Sequence, residues 1–192
     1  MAVEVVVLAS RSPRRADLLA QLEQRFETIP ADIDESPHTS ELPVEYVRRL
    51  AVEKALAVLP RAAGRRILAA DTTVDVDNTI LGQPVDEHDA RRMLRLLSAR
   101  THRVHTGVAV AEPDGSLAVE VVTSLVTFVP VTDEMLEWYI ATGEWRGKAG
   151  SYAVQGLGST LVGSVRGSMT NVIGLPVRET ARLLGLAVPD RD

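Results

Sequence analysis

The chain has no cysteine among its 192 residues. That excludes disulfide bridges, a cysteine nucleophile and thiolate metal sites, and it fits a cytoplasmic protein. Aromatic residues make up only 4% of the chain, too few for a base-stacking platform that holds single-stranded nucleic acid. No apolar run reaches the ~18 residues of a membrane span. The apolar N-terminal stretch MAVEVVVLAS lacks the basic flank of a signal peptide. Basic charge is not in surplus either: the net charge is −5, the wrong sign for a general nucleic-acid binder. An anionic ligand must then be held by local positive charge and not by the overall field. What is present, 45% hydrophobic and 24% charged residues, describes a soluble globular chain able to bury a core, read as a single domain over residues 1–192.

Strands and helices are mixed along the chain. The β-branched run Val3–Ala9 reads as a buried strand, and Ser12 with Pro13 reads as the N-cap and first position of a helix. The polar, proline-bearing segment 31–43 is a loop. A second helix is expected from about Pro43 to Leu59 and a strand from Ile67 to Val76. Asp86 should cap a third helix carrying Ala90, Met93, Leu94 and Leu97. His102–Ala111 and Leu117–Val131 read as strands joined by a turn with Asp-Gly at its centre, a hairpin signal. A helix over Asp133–Thr142, glycine-rich loops and short strands over 142–176, and a last helix from Pro176 to near Gly185 complete the expectation. The predicted fold class is α/β, with a mixed sheet flanked by helices around a cleft.

Several residues carry chemistry. Arg14 and Arg15 fall in the first turn of the first predicted helix, where the helix end is already positive and acidic residues are favoured. An anion at that helix start accounts for them, since exposed amides and two guanidinium groups would converge on it, with Ser10 and Ser12 adding hydroxyl donors. The alternative is two solvated arginines tolerated at ~0.3–1 kcal/mol each. Lys54 lies on an apolar stripe of the second helix and reads, by itself, as a snorkelling side chain. Asp71 follows the apolar run ILAA and is placed at the C-terminal end of a buried strand, where α/β proteins set functional groups; it could be a general base or a metal ligand. Asp75 and Asp77 flank a hairpin-like turn and are expected to be solvated. GEWRGKAG has the wrong glycine spacing for a phosphate-binding P-loop. His102 and His105 would face opposite sides of a strand, which argues against a shared metal.

Taken in order, LASRSPRRADLL, DES (34–36), LAVEKA (50–55), AADTTV (69–74), ILGQP (80–84), LSARTHRVHTGVAV, GKAGSYAVQG and NVIGLP resemble the Maf family, also called septum-formation-inhibitor proteins. The resemblance covers nearly the whole chain. It implies a fold similar to the inosine triphosphatases and a cytoplasmic nucleoside triphosphate pyrophosphatase that uses a divalent cation, Mg²⁺ or Mn²⁺, and is usually a homodimer. Nucleic acid and membranes are not implied as partners. Carried over by position, Asp71 matches the catalytic base, and Arg14, Thr72 and Gln155 match markers of a subfamily acting on dTTP and UTP. A sister subfamily acting on 7-methyl-GTP has Trp and Glu at the positions of Arg14 and Gln155. Ser10, Ser12, Arg15, Lys54 and Lys148 match positions expected to touch phosphates, and Glu35 one that helps Asp71 hold the metal. Gln83 stands on the same phosphate path where the family usually has Lys, which keeps a non-catalytic nucleotide-binding regulator of cell division as a further reading.

Overall fold

Strand β3, Ile67–Val76, is buried on both faces along nearly its whole length, and the rest of the molecule is arranged around it. In the computed structural model, which describes residues 5–187, it pairs with β1 (Val6–Leu8) in parallel and with β5 (Thr101–Ala111) antiparallel. The sheet continues through β6 (Leu117–Phe128) and β7 (Val162–Arg166) on one side and through β2 (Phe26–Thr28) beyond β1 on the other. A short β4 (Thr79–Leu81) folds back on the end of β3. Asp77 and Asn78 make that turn with φ of 52° and 63°, the paired left-handed conformation of a two-residue hairpin. The sheet is mixed, as expected.

The two faces of β3 are covered differently. Ile67 and Ala69, with Ala109 and Ala111 of β5, pack against Ala51, Ala55 and Val58 of α2 (Pro43–Val58). Small side chains on both partners let the helix lie close to the sheet. On the other face, Leu68 and Ala70 with Val108 and Val110 meet Leu18 and Leu19 of α1 (Pro13–Ala20) and Leu175. Further along the same face, Val74 and Val104 meet Met93, Leu94 and Leu97 of α3 (Glu87–Leu97), together with Leu136 and Tyr139 of α4 (Asp133–Thr142). Thr72 and Thr106, opposite each other in register, fall between these two clusters. The chain closes with α5 (Met169–Ile173) and α6 (Val177–Leu183).

Most expected elements are present, and β2 and β4 are short strands that were not expected. The first strand is shorter than Val3–Ala9, and its first two expected residues lie outside the described residues. The sixth strand stops at Phe128 instead of Val131. The glycine-rich segment holds the five-residue helix α5 as well as loops and a strand. Asp75 is buried, not solvated: it lies within β3, 1% exposed, and meets Arg103 at 2.6 Å and His105 at 3.2 Å. Asp86 caps α3 by accepting from the Asp89 amide at 2.8 Å, as expected. Ser12 occupies the N-cap of α1, but its hydroxyl makes no capping bond.

Candidate functional site: a cationic cleft at the open edge of β3

β1 leaves β3 after Leu68, and β4 joins it only at Val74. Along that edge Asp71, Thr72 and Thr73 are covered by neither strand, so side chains from both faces of the sheet line one cleft. Asp71 therefore sits in mid-strand, not at the strand's C-terminal end. It is the end of the neighbouring β1 that opens the crevice, in keeping with the rule that ligands bind beyond the carboxyl ends of parallel strands. The cleft has a volume of about 590 Å³, within the usual ~300–1,000 Å³ of small-molecule sites. Ser10, Ser12, Arg14, Arg15, Glu35, Lys54, Asp71, Thr72, Gln83, Lys148 and Gln155 all line it.

Asp71 and Lys54 are 6% and 7% exposed and meet at 2.5 Å through Oδ1 and Nζ. The same ammonium lies 2.9 Å from Glu35 Oε1. Lys54 is thus a bridge between two carboxylates, and its place on the apolar stripe of α2 is what carries it under the cleft. Burial raises the pKa of Asp71 above the ordinary carboxylate value, while Lys54 and Arg15 work to lower it. Glu35 is held from behind: the Tyr46 hydroxyl donates to its carbonyl at 2.8 Å.

Lys54 fills the place between the two carboxylates, so a divalent ion would bind to their remaining oxygens on the cleft side. Among the described residues no cluster of three or more His, Cys, Asp or Glu could hold one. Magnesium is commonly bound by one or two carboxylates together with substrate phosphates. The donor set fits a cation shared with a polyanionic ligand rather than one caged by protein alone.

The cations of the cleft divide into two kinds. Arg15 is engaged, donating from Nε to the Gly174 carbonyl at 2.8 Å and from Nη2 to Thr72 Oγ1 at 3.1 Å. Arg14 and Lys148 have no acidic partner within ion-pair distance among the described residues. They are close enough that Arg14 adds to the effect of burial in lowering the Lys148 pKa. Two unpaired cations held near each other repel unless an anion joins them. Ser12 Oγ is buried at this helix start without a hydrogen-bond partner. Its amide takes Ser10 Oγ at 3.1 Å. Gln83 and Gln155 are exposed at the cleft surface and bring amides, not charge. Apolar lining comes from Val74, Val104, Tyr152, Val154, Val172 and Ile173.

Residue patterns alone missed Tyr46, Tyr152, Thr106 and Asn171, which shape or brace the cleft. One signal was available for the cationic set. Of the 21 basic residues, 19 are arginine and only two are lysine, Lys54 and Lys148, and both line the cleft. The two histidines of the H-x-x-H face opposite ways as expected: His102 bonds Tyr152 at 2.8 Å, and His105 bonds Thr123 and Asp75.

The chain is similar to known proteins over nearly its whole length. The dTTP/UTP pyrophosphatase of Myxococcus xanthus is 50% identical over 190 residues, covering 97% of this chain and 96% of that one. The dTTP/UTP pyrophosphatase of Methylobacillus flagellatus is 48% identical over 189 residues, covering 96% and 94%. Among solved structures, the Ham1 protein of Staphylococcus aureus covers 65% of this chain and 72% of that chain at 15% identity, with a TM-score of 0.49. The family model described as Maf-like protein matches residues 5–187, and this chain belongs to the Maf family.

Proposed function

We propose that the protein is a nucleoside triphosphate pyrophosphatase that converts dTTP and UTP to the monophosphate and pyrophosphate. The observation that carries this reading is one cleft that joins a buried carboxylate, Asp71, to two cations, Arg14 and Lys148, that have no acidic partner within ion-pair distance among the described residues. The names of the relatives at 48–50% identity support it. Gln155 supports the choice of base, because an amide donates and accepts at once and so matches the imide edge of uracil or thymine.

Asp71 is assigned as general base. Its Oδ1 is taken by Lys54, which leaves Oδ2 to accept the proton of a water attacking the α-phosphorus. The bond from that phosphorus to the bridging oxygen breaks, and pyrophosphate leaves with the electron pair. Arg14 and Lys148 stabilise the charge on the phosphates, joined by Ser10 and Ser12. Lys54 orients Asp71 and holds Glu35 beside it. When bound, Mg²⁺ or Mn²⁺ neutralises charge on the triphosphate, and Glu35 and Asp71 are the residues that would hold it. A cytoplasmic setting and a homodimer belong to the same reading; among the described residues no helix is long and apolar enough to cross a membrane.

Pyrophosphate release from dTTP, UTP, CTP, ATP, GTP and 7-methyl-GTP, with Mg²⁺, Mn²⁺ or Co²⁺, tests it. Release is expected from dTTP and UTP, to stop on chelation, and to fall at least about 10²-fold in Asp71→Asn, the usual contribution of a positioned base. Near-normal turnover in that variant would remove Asp71 from the mechanism. Binding without turnover of any triphosphate would favour the regulator.

A further inference from the structure

We propose that Arg15 is a positioning residue: with Thr72 it fixes the Asn171–Gly174 turn as a selectivity wall of the cleft and does not itself bind phosphate. This inference rests on the pyrophosphatase reading above. The Nε/Nη2 edge of a guanidinium is one that grips phosphates and carboxylates side-on. In Arg15 that edge is already spent on the Gly174 carbonyl and the Thr72 hydroxyl.

The hydrogen bonds beyond it lead away from the cleft into the sheet. Thr106 Oγ1 donates its one proton to the Asn171 carbonyl at 3.0 Å. With that proton spent, Thr72 donates across its 2.9 Å contact with Thr106, the Gly174 carbonyl being a longer alternative acceptor for the Thr72 proton at 3.4 Å. Thr72 in turn accepts from Arg15, which is always a donor. The chain runs from Arg15 through Thr72 and Thr106 to the Asn171 carbonyl, leaving Thr72 no proton for a ligand. Arg15 also holds the Gly174 carbonyl directly, so both ends of the turn are pinned. Between them lie Val172 and Ile173, which line the cleft. Asn171 is itself fully buried and donates to the Val104 carbonyl and Ser124 Oγ at 3.0 and 2.9 Å. Gly174 turns there with φ of 129°, a conformation that L side chains avoid. The geometry thus links Thr72 to the cleft wall formed by Val172 and Ile173 through Thr106 and the Asn171 carbonyl.

The test compares Arg15→Lys and Arg15→Gln with the parent enzyme. The readouts are kcat/KM on UTP and CTP and inhibition by inorganic pyrophosphate. Lysine keeps the charge but has no rigid fork to span Gly174 and Thr72. Both variants are therefore expected to lose UTP-over-CTP discrimination about tenfold, while pyrophosphate inhibition stays within about twofold. Thr72→Val should reproduce that loss, and Thr72→Ser should retain discrimination. If Arg15→Lys keeps its selectivity while Arg15→Gln weakens pyrophosphate inhibition about tenfold, Arg15 is a phosphate ligand and the proposal fails. It also fails if Thr72→Val discriminates as the parent does. Should Arg15→Gln not fold, the Thr72 pair decides. Should the parent release no pyrophosphate from any triphosphate, the activity reading falls. Equilibrium binding of UMP, CMP and pyrophosphate to the same variants then decides the role of Arg15.

Discussion

A lysine in a protein that otherwise uses arginine is a choice between two cations. Arginine spreads its charge over a rigid fork, whereas lysine offers a compact ammonium on a flexible stem. Lys54 reaches Glu35 and Asp71 at once, at 2.9 and 2.5 Å, a point contact with two carboxylates that suits an ammonium. Lys148 has no such partners, and burial together with Arg14 lowers its pKa, which raises its fraction of free amine. Amine-selective acetylation followed by peptide mass spectrometry should therefore label Lys148 well before the buried Lys54, and bound UTP should protect Lys148. Equal labelling of the two, or no protection, would contradict the placement of Lys148 on the triphosphate. As the proposed base, Asp71 should set the pH dependence. The base acts only when ionised, and burial lifts its pKa above the ordinary carboxylate range, so kcat/KM should fall with decreasing pH through that raised value. Lys54 is the strongest opposing influence. In Lys54→Met the acid limb of the profile should move to higher pH, measured on whatever turnover remains; a limb that stays in place would mean that another group is being titrated.

The reach of Lys54 depends on how closely α2 lies on the sheet. Ala51 and Ala55 on the helix face Ala69 and Ala109 on the strands, and all four are fully buried. The closest approach is at Gly107, which pairs with Asp71 in register; a Cβ there would run into the Val47 carbonyl of α2. Gly107→Ala cannot be relieved by a rotamer change, because the obstacle is backbone. The helix must lift, and overpacking of this kind costs about 2 kcal/mol, or roughly 4–8 °C of melting temperature in a chain this size. The same displacement should draw Lys54 away from Asp71 and lower kcat. Thermal melting and turnover of the one variant read both, and a variant that melts like the parent would show that α2 stands further off the sheet.

At the scale of the whole molecule, legibility followed the range of the interactions. α2 and β3 could be read locally, because a 16-residue amphipathic helix declares its period and the apolar run Ile67–Ala70 with the β-branched residues after it declares a buried strand. β2, β4 and α5 have three, three and five residues, too few for any period, and they exist because a neighbouring element accepts them. Arg14 was singled out by the helix start it falls in and Asp71 by the apolar run before it, whereas Lys148 came only through the serial order of motifs. Their mutual placement depends on where β1 ends, which no local pattern records. The burial of Asp75 was missed because Arg103 and His105 reach it from β5. Such buried polar groups also govern how the fold responds to acid. His102, 1% exposed and set edge-on against Phe128 and Tyr152, has its pKa lowered by burial to about 4. The unfolded chain takes up that proton near pH 6.5 and the folded chain does not, so stability is full above about pH 6.5 and is lost as the pH falls toward 4. Between pH 7.5 and 5 this amounts to about 2 kcal/mol. Carboxylates such as Glu41, which Arg49 holds to about 2, stay ionised in the folded chain across that interval. Replacing His102 with Phe keeps a ring against Phe128 but leaves the buried Tyr152 hydroxyl without its partner, so His102→Phe should be less stable at pH 7.5. Its urea midpoint should nevertheless change less than the parent's between pH 7.5 and 5, the remaining change coming in part from His105, whose pKa burial also lowers. Parallel decline in the two proteins would show that His102 is protonated in the folded state and that its burial does not set the acid sensitivity.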